Sequence, residues 1–392
     1  MRRVTVTERR ARLGRRHRLS AGQRCDDVTE VARSLVALHS TDPATVFLAA
    51  AARMADPKVV AIEDALYEHR SLVRMLGMRR TMWVAPTELV PVVHAGCTVA
   101  IAARERRRLL KLLQDVGITD DTAAWLAAVE QATLQALKDR GGAFGTELST
   151  AVPGLRTRYV YAEGKSYGGQ QNATTQILNL MSMDGAIVRG RPRGAWNNSQ
   201  YRWAPIERWL PEGMAALDRV DAHAALVEGW LRAFGPGTIG DLKWWTGLNL
   251  GEVRTALVRL AVVEVDLDGA SGLLLADDLE PVEPPGPWIA LLPALDPTAM
   301  GWSGRDWYLG DHRSRLFDRS GNIGPTVWAD GRIVGGWAQR KSTGDVVFRL
   351  FEDVGAEAAT AIETEAERLA AWIGDVRVTP RFRTPVEREL TG

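Results

Sequence analysis

Between Thr238 and Ala276 the chain spells out one complete supersecondary unit. Thr238 precedes IGDLKWWT and is a residue type whose hydroxyl accepts from an orphan N–H of a first helical turn. Thr246-Gly247-Leu248 ends that run, and Asn249 opens a second one, LGEVRTALVRL. The period then changes from helical to alternating. VVEVDLDGASGLLLA reads as two strands around Asp268-Gly269, a dipeptide suited to the positive φ angles of a tight hairpin turn. Two short helices and a hairpin in that order are the outline of a winged helix, with one helix suited to a groove and a hairpin as the wing.

The same plan recurs upstream. In Gly145–Trp203, Thr146-Glu147-Leu148 starts one helix and NATTQILNLMSM (172–183) is a second. Ile187–Arg193 and Gln200–Trp203 supply the hairpin. In the first copy, helices are expected over 27–38 and 43–54 and near 62–68, followed by LVRMLGMRRTMWVAP as strands. Between these copies, 88–140 reads as helical, and the proline-rich LEPVEPPGP (279–287) as a linker that neither helix nor strand can cross. Beyond it come a hairpin around Asp330-Gly331, a strand, an amphipathic helix, and a tail, PRFRTPVERELTG, expected to be an extended arm. The expected fold is α+β and mainly helical. Its segments are 1–140, 141–215, 216–280 and a C-terminal α/β segment, 281–392, packing on the others.

With 392 residues, 46% of them apolar and 25% charged, the chain has the make-up of a globular protein with several cores. No apolar run approaches the roughly 18 residues of a membrane span. The Arg-rich N-terminus lacks the apolar core of a secretory signal. Cys25 and Cys97 offer neither a disulfide framework nor a metal spacing, so a reducing cytoplasm is expected. The net charge is +1, yet the first 24 residues hold nine arginines against Glu8, which suggests a basic face for phosphates. No phosphate-binding loop and no Gly-x-Ser-x-Gly elbow occur.

The candidate site is LVALHSTDPATVF (35–47). An apolar run breaks at His39-Ser40-Thr41-Asp42-Pro43, where Asp42 fits an N-cap and Pro43 the first helical position. The corner therefore gathers an imidazole and two hydroxyls that must be hydrogen-bonded or face a ligand.

This corner, the repeated winged-helix outline, and the blocks LLPALDPTAMGWSGRDWYLG (291–310) and FDRSGNIGPTVWADGRIVGGW (317–337) resemble the bacterial winged-helix-domain DNA glycosylases. The resemblance covers Leu13 to about Trp372. It implies three tandem winged helices around a concave DNA-binding channel, no metal and no organic cofactor. It also implies excision of bulky N7- or N3-alkylated purines, crosslink unhooking in some members and antibiotic self-resistance in others. The family's catalytic motif, Gln-x-Gln or Gln-x-Asp, falls on His39 and Thr41, so this chain departs from the pattern at both positions.

Hydrolysis of an N-glycosidic bond needs a placed water and stabilisation of a cationic sugar. A 7-alkylguanine leaves as a neutral base without a general acid. On that reading His39 and Thr41 flank the attacking water, with Asp42 a further candidate for direct chemistry. DNA contacts are expected from Arg79, Arg80, Arg189, Arg191, Arg193, Arg202 and Arg305. Trp83 and Trp203, at the wing ends, are candidates to stack on the lesion. Asp296, Arg305 and Asp306 either touch DNA or brace the corner. The expected partner is duplex DNA carrying alkylated purines, bound by a monomer in the nucleoid, with no membrane. The alternative is a winged-helix DNA-binding or drug-sequestering protein without catalysis.

Overall fold

The computed structural model describes residues 1–161, 169–380 and 382–392. Helices take 47% of the described residues and strands 18%, so helices dominate a mixed fold. The third copy of the plan follows its sequence closely. Helix Arg219–Phe234 leads to Gly237, which bridges to Leu273, and then to helices Ile239–Thr246 and Leu250–Val258. Thr238 accepts from the Asp241 N–H at 3.1 Å and Asn249 from the Glu252 N–H at 3.0 Å. Strands Val262–Leu267 and Ala270–Leu275 pair around Asp268 and Gly269, both at positive φ. Arg2–Arg3 adds a parallel strand at the edge.

The first copy departs from expectation just where the corner begins. Its helix stops at Arg33 instead of running to residue 38, and Leu38–His39 is a strand. Val36 marks the change, with φ at +65°, a conformation a β-branched residue adopts only under constraint. Leu38 and His39 pair with Val84 and Trp83, and strand Leu72–Leu76 closes the sheet on the other side of Met82–Pro86. Helix Pro43–Ala51 starts where expected, capped by Asp42, and stops short of residue 54.

In the second copy, Ala143–Phe144 is the short strand, and helix Gly145–Ala151 follows it directly. Helix Thr174–Met183 starts two residues later than predicted, because Gly169–Asn172 pairs antiparallel with Arg158–Tyr161. The wing strands are Ile187–Pro192 and Tyr201–Pro205, with a register shift between Arg189 and Pro192. Helices Val99–Asp115 and Thr122–Arg140 precede this copy.

After the linker, strands Ile289–Leu292, Thr326–Ala329, Arg332–Gln339 and Val346–Leu350 form an antiparallel meander, followed by helix Ala356–Ile373. The tail is not an extended arm. Pro385–Thr391 is a helix whose capping box joins Thr384 to Glu387, and both residues are buried. One apolar core runs from Leu13 to Val386 through the first copy, the third copy and the meander. A second core, Ile101 to Trp203, belongs to the second copy and the helices before it. No helix of the described residues is long and apolar enough to cross a membrane.

Candidate active site at the first corner

The corner divides its polar residues between two sides. His39 is in register with Trp83, and their rings meet edge to face at 4.9 Å. It is 2% exposed, and burial, together with nearby Arg79, pulls its pKa down to about 3. The ring is therefore neutral at physiological pH, and its Nδ1 accepts the Thr41 N–H at 3.5 Å. The expectation that His39 and Thr41 flank one water meets a bend here: the strand ends at His39, which is buried, whereas Thr41 is exposed. The Thr41 hydroxyl accepts weakly from the Met82 N–H at 3.4 Å. Asp42 does what an N-cap does, accepting from the Ala44 N–H at 3.0 Å. Burial raises its pKa despite that bond. It faces a different cavity, shared with Glu387 and the meander.

Ser40, Thr41 and Pro43 open onto a groove of about 980 Å³ between the first and second copies. The opposite wall comes from the starts of helices Gly145–Ala151 and Thr174–Met183 and from the second wing. Its polar groups are hydroxyls, amides and the guanidinium groups of Arg189 and Arg193; among the described residues no carboxylate lines it. Sequence reasoning missed the support beneath Ser40. Arg74, 2% exposed on the first wing, donates a short hydrogen bond to the Ser40 hydroxyl and lies over the Tyr201 ring at 4.7 Å. Only the basic residue inside an otherwise apolar strand, LVRML, hinted at it.

The predicted DNA-contacting arginines meet several fates. Arg193 is exposed beside the Phe144 ring. Arg189 reaches the groove but bonds Asn179 at 2.7 Å and Met82 Sδ at 2.8 Å, and burial, then Arg74, lowers its pKa to about 10. Arg191 is paired with Glu63 and Glu68, Arg80 with Glu105, and Arg202 donates to the Gly142 carbonyl. Arg79 and Arg305 face the Trp244 ring at 4.0 and 4.9 Å. Both are held below the usual guanidinium pKa, mainly by burial, Arg79 at about 10. The two tryptophans also separate. Trp83 is fully buried against His39 and Trp245 and has no face for a base, a correction that follows from its central strand position. Trp203 lines the groove.

The N-terminal arginines are not a free basic face either. Arg12 and Arg16 bond Asp278, Arg2 bonds Glu8, Arg3 bonds Asp268, and Arg15 takes the Glu283 carbonyl in the linker. They fasten the first helix, Val6–Arg16, to the third wing and the linker. Asp296 braces the corner's helix: fully buried, it takes Arg53 through bonds of 2.7 and 2.9 Å. Thr45 donates to the Ala294 carbonyl at 2.8 Å, and Asp306 is exposed. No three His, Cys, Asp or Glu side chains gather as a metal site among the described residues.

This architecture has a solved counterpart. The DNA glycosylase AlkZ of Streptomyces sahachiroi superposes with a TM-score of 0.72 over 97% of this chain and 99% of its own, at 19% identity. An interstrand DNA cross-link repair glycosylase of the same organism is 28% identical over 219 residues, 53% of this chain. The match spans 57% of that relative's length. The model of the AlkZ-like DNA glycosylases matches residues 32–372, from before the corner to the end of the meander's helix, and the chain belongs to that family.

Proposed function

We propose that this protein is a DNA glycosylase that hydrolyses the N-glycosidic bond of bulky N7-alkylguanine, with crosslink unhooking or antibiotic self-resistance as its setting. The observation that carries this reading is the corner groove, lined by hydroxyls, amides and arginines and by no described carboxylate. Such a wall is poor at protonating a leaving group and suited to one that is already cationic. In the reaction a water oxygen bonds C1′ as the C1′–N9 bond breaks. The bonding pair passes to N9 and cancels the positive charge of the alkylated ring, and the water's proton leaves to solvent. Ser40 and Thr41 hold the water. His39, neutral and buried, is a positioning residue that fixes the Thr41 backbone.

The three copies of helix, short strand, helices and hairpin support three tandem winged helices, divided at 1–140, 141–215 and 216–280, with 281–392 as the bracing segment. Duplex DNA lies in the concavity between the first two copies, with Arg193 and Arg189 on its phosphates and Trp203 beside the lesion.

Duplexes containing 7-methylguanine and a bulky N7 adduct, incubated with the protein and treated with alkali, should show strand breaks. A His39→Ala/Thr41→Ala double variant should cut far less. Equal cutting by the wild type and the double variant removes the corner from the chemistry. Tight binding with no breaks by the wild type favours the non-catalytic alternative.

A further inference from the structure

A second cavity, of about 450 Å³, adjoins the groove and shares Met82, Asn179, Gln176 and Arg189 with it. Its depth is apolar. Leu76 comes from the first wing, Ile101, Leu109 and Leu112 from helix Val99–Asp115, and Leu180 and Met183 from helix Thr174–Met183. Its mouth carries Arg80 and Arg108, both close to Glu105. At the threshold, Arg189 ties Asn179 to Met82. Beside it, Gln176 donates to Gln171 at 3.2 Å, while its own carbonyl oxygen is buried and accepts no hydrogen bond. A buried acceptor without a donor is costly unless a ligand completes it.

We propose that this cavity seats the apolar, aromatic body of a bulky substituent on the lesion base, while the base remains at the threshold. The inference rests on the glycosylase reading for its substrate and adds where the adduct goes. Three features select that occupant. The cavity shares Met82, Gln176, Asn179 and Arg189 with the groove, so a ligand seated in it can be attached to whatever the groove holds. Its volume lies within the range of roughly 300–1,000 Å³ typical of sites for molecules larger than a methyl group. The threshold offers a guanidinium to a purine carbonyl oxygen, and the Gln176 carbonyl to the purine's exocyclic N–H. An apolar pocket behind a polar edge thus distinguishes a bulky adduct from a small one, because a methyl group reaches none of the leucines.

The test uses the full chain and two free bases, 7-(naphthalen-1-ylmethyl)guanine and 7-methylguanine, with binding followed by calorimetry. The naphthylmethyl base should bind at least tenfold more tightly. Leu112→Trp and Leu76→Trp fill the cavity from two different elements at half-buried positions. Each should abolish that margin, with the far-ultraviolet circular dichroism of the wild type retained. Equal binding of both bases to the wild type overturns the proposal, as does a margin that survives either substitution. Because no bond is cleaved in this assay, a tenfold margin without strand breaks on adducted DNA leaves the pocket standing and removes the glycosylase reading. Strand breaks without a margin do the reverse.

Discussion

In the first wing, strands Leu72–Leu76 and Met82–Pro86 are buried along nearly their whole length, and most of their apolar side chains join the large core. The second wing divides its neighbours between two cores. Ile187 and Trp203 pack into the second core, whereas Val188 and Ala204, one residue on, pack into the first, as the pleat requires. The first wing thus leaves to solvent its turn and the strand ends that flank it, and serves as a floor beneath the corner. Beyond its register shift the second wing carries cations to solvent and serves as a wall. Similar outlines acquire different work from what lies behind each sheet.

The bracing of the floor is the place to break this contrast most severely. Asp296→Asn leaves the fully buried Arg53 without its counter-ion and should cost about 3–5 kcal/mol in urea unfolding. Breaking the half-exposed pair of Arg106 with Glu130, behind the wall, should cost no more than ~1 kcal/mol. Similar losses at the two places would mean that the floor is no more tightly braced than the wall.

The next largest effect should fall on the chemistry. Ser40→Ala/Thr41→Ala removes both hydroxyls from the groove, and single-turnover excision should fall roughly 100-fold. Ser149→Ala, on the facing wall, should change it less than threefold. Comparable losses at the two positions would deny the first corner its special place.

Periodicity reveals elements that depend on neighbours in the chain, and it fails where the environment comes from elsewhere. The third copy could be read almost residue by residue because its caps and its Asp268-Gly269 turn are local. The strand at Leu38–His39 could not, because it exists only by pairing with Met82–Pro86, far along the chain. The tail's helix was hidden for a similar reason: Thr384 and Glu387 make a readable capping box, but their burial against Gly324 of the C-terminal segment is tertiary. At the site, the corner itself was visible as polar residues between apolar runs. The depth of His39 and the support from Arg74 were not, since both depend on packing against other elements. The wing arginines looked alike in sequence, and only the register shift and the position of Glu63 and Glu68 sort them.

The buried imidazole gives the floor a pH signature that the wall lacks. The folded pKa of His39, about 3, lies below the unfolded value of about 6.5, so between those limits the unfolded chain binds the extra proton. Stability therefore falls as pH drops from about 6.5, by ~1.4 kcal/mol per unit for this residue, and the contribution is neutral above that range. His17, fully buried and also held well below its usual pKa, acts in the same direction. Urea midpoints at pH 7 and pH 5 should differ less in His39→Gln than in the wild type. Excision should show no inflection near pH 6.5, since the ring is already neutral there. Such an inflection, lost in His39→Gln, would return His39 to the role of a base.

The smallest effect separates two cations on the wall itself. Arg193 is exposed beside the Phe144 ring, whereas Arg191 is already neutralised by Glu63 and Glu68. An arginine on a phosphate releases counter-ions when DNA binds, and its removal should lower the slope of log K against log salt by about 1. Arg193→Ala should do this for an undamaged duplex, with stability changed by less than ~0.5 kcal/mol. Arg191→Ala should leave the slope unaltered and weaken only the contact between the first two copies. If both substitutions lower the slope equally, the carboxylates release Arg191 when DNA arrives, and the wall is then rebuilt by the substrate. If neither does, the duplex runs elsewhere, and the cations facing the groove serve only to keep its proteinaceous walls apart.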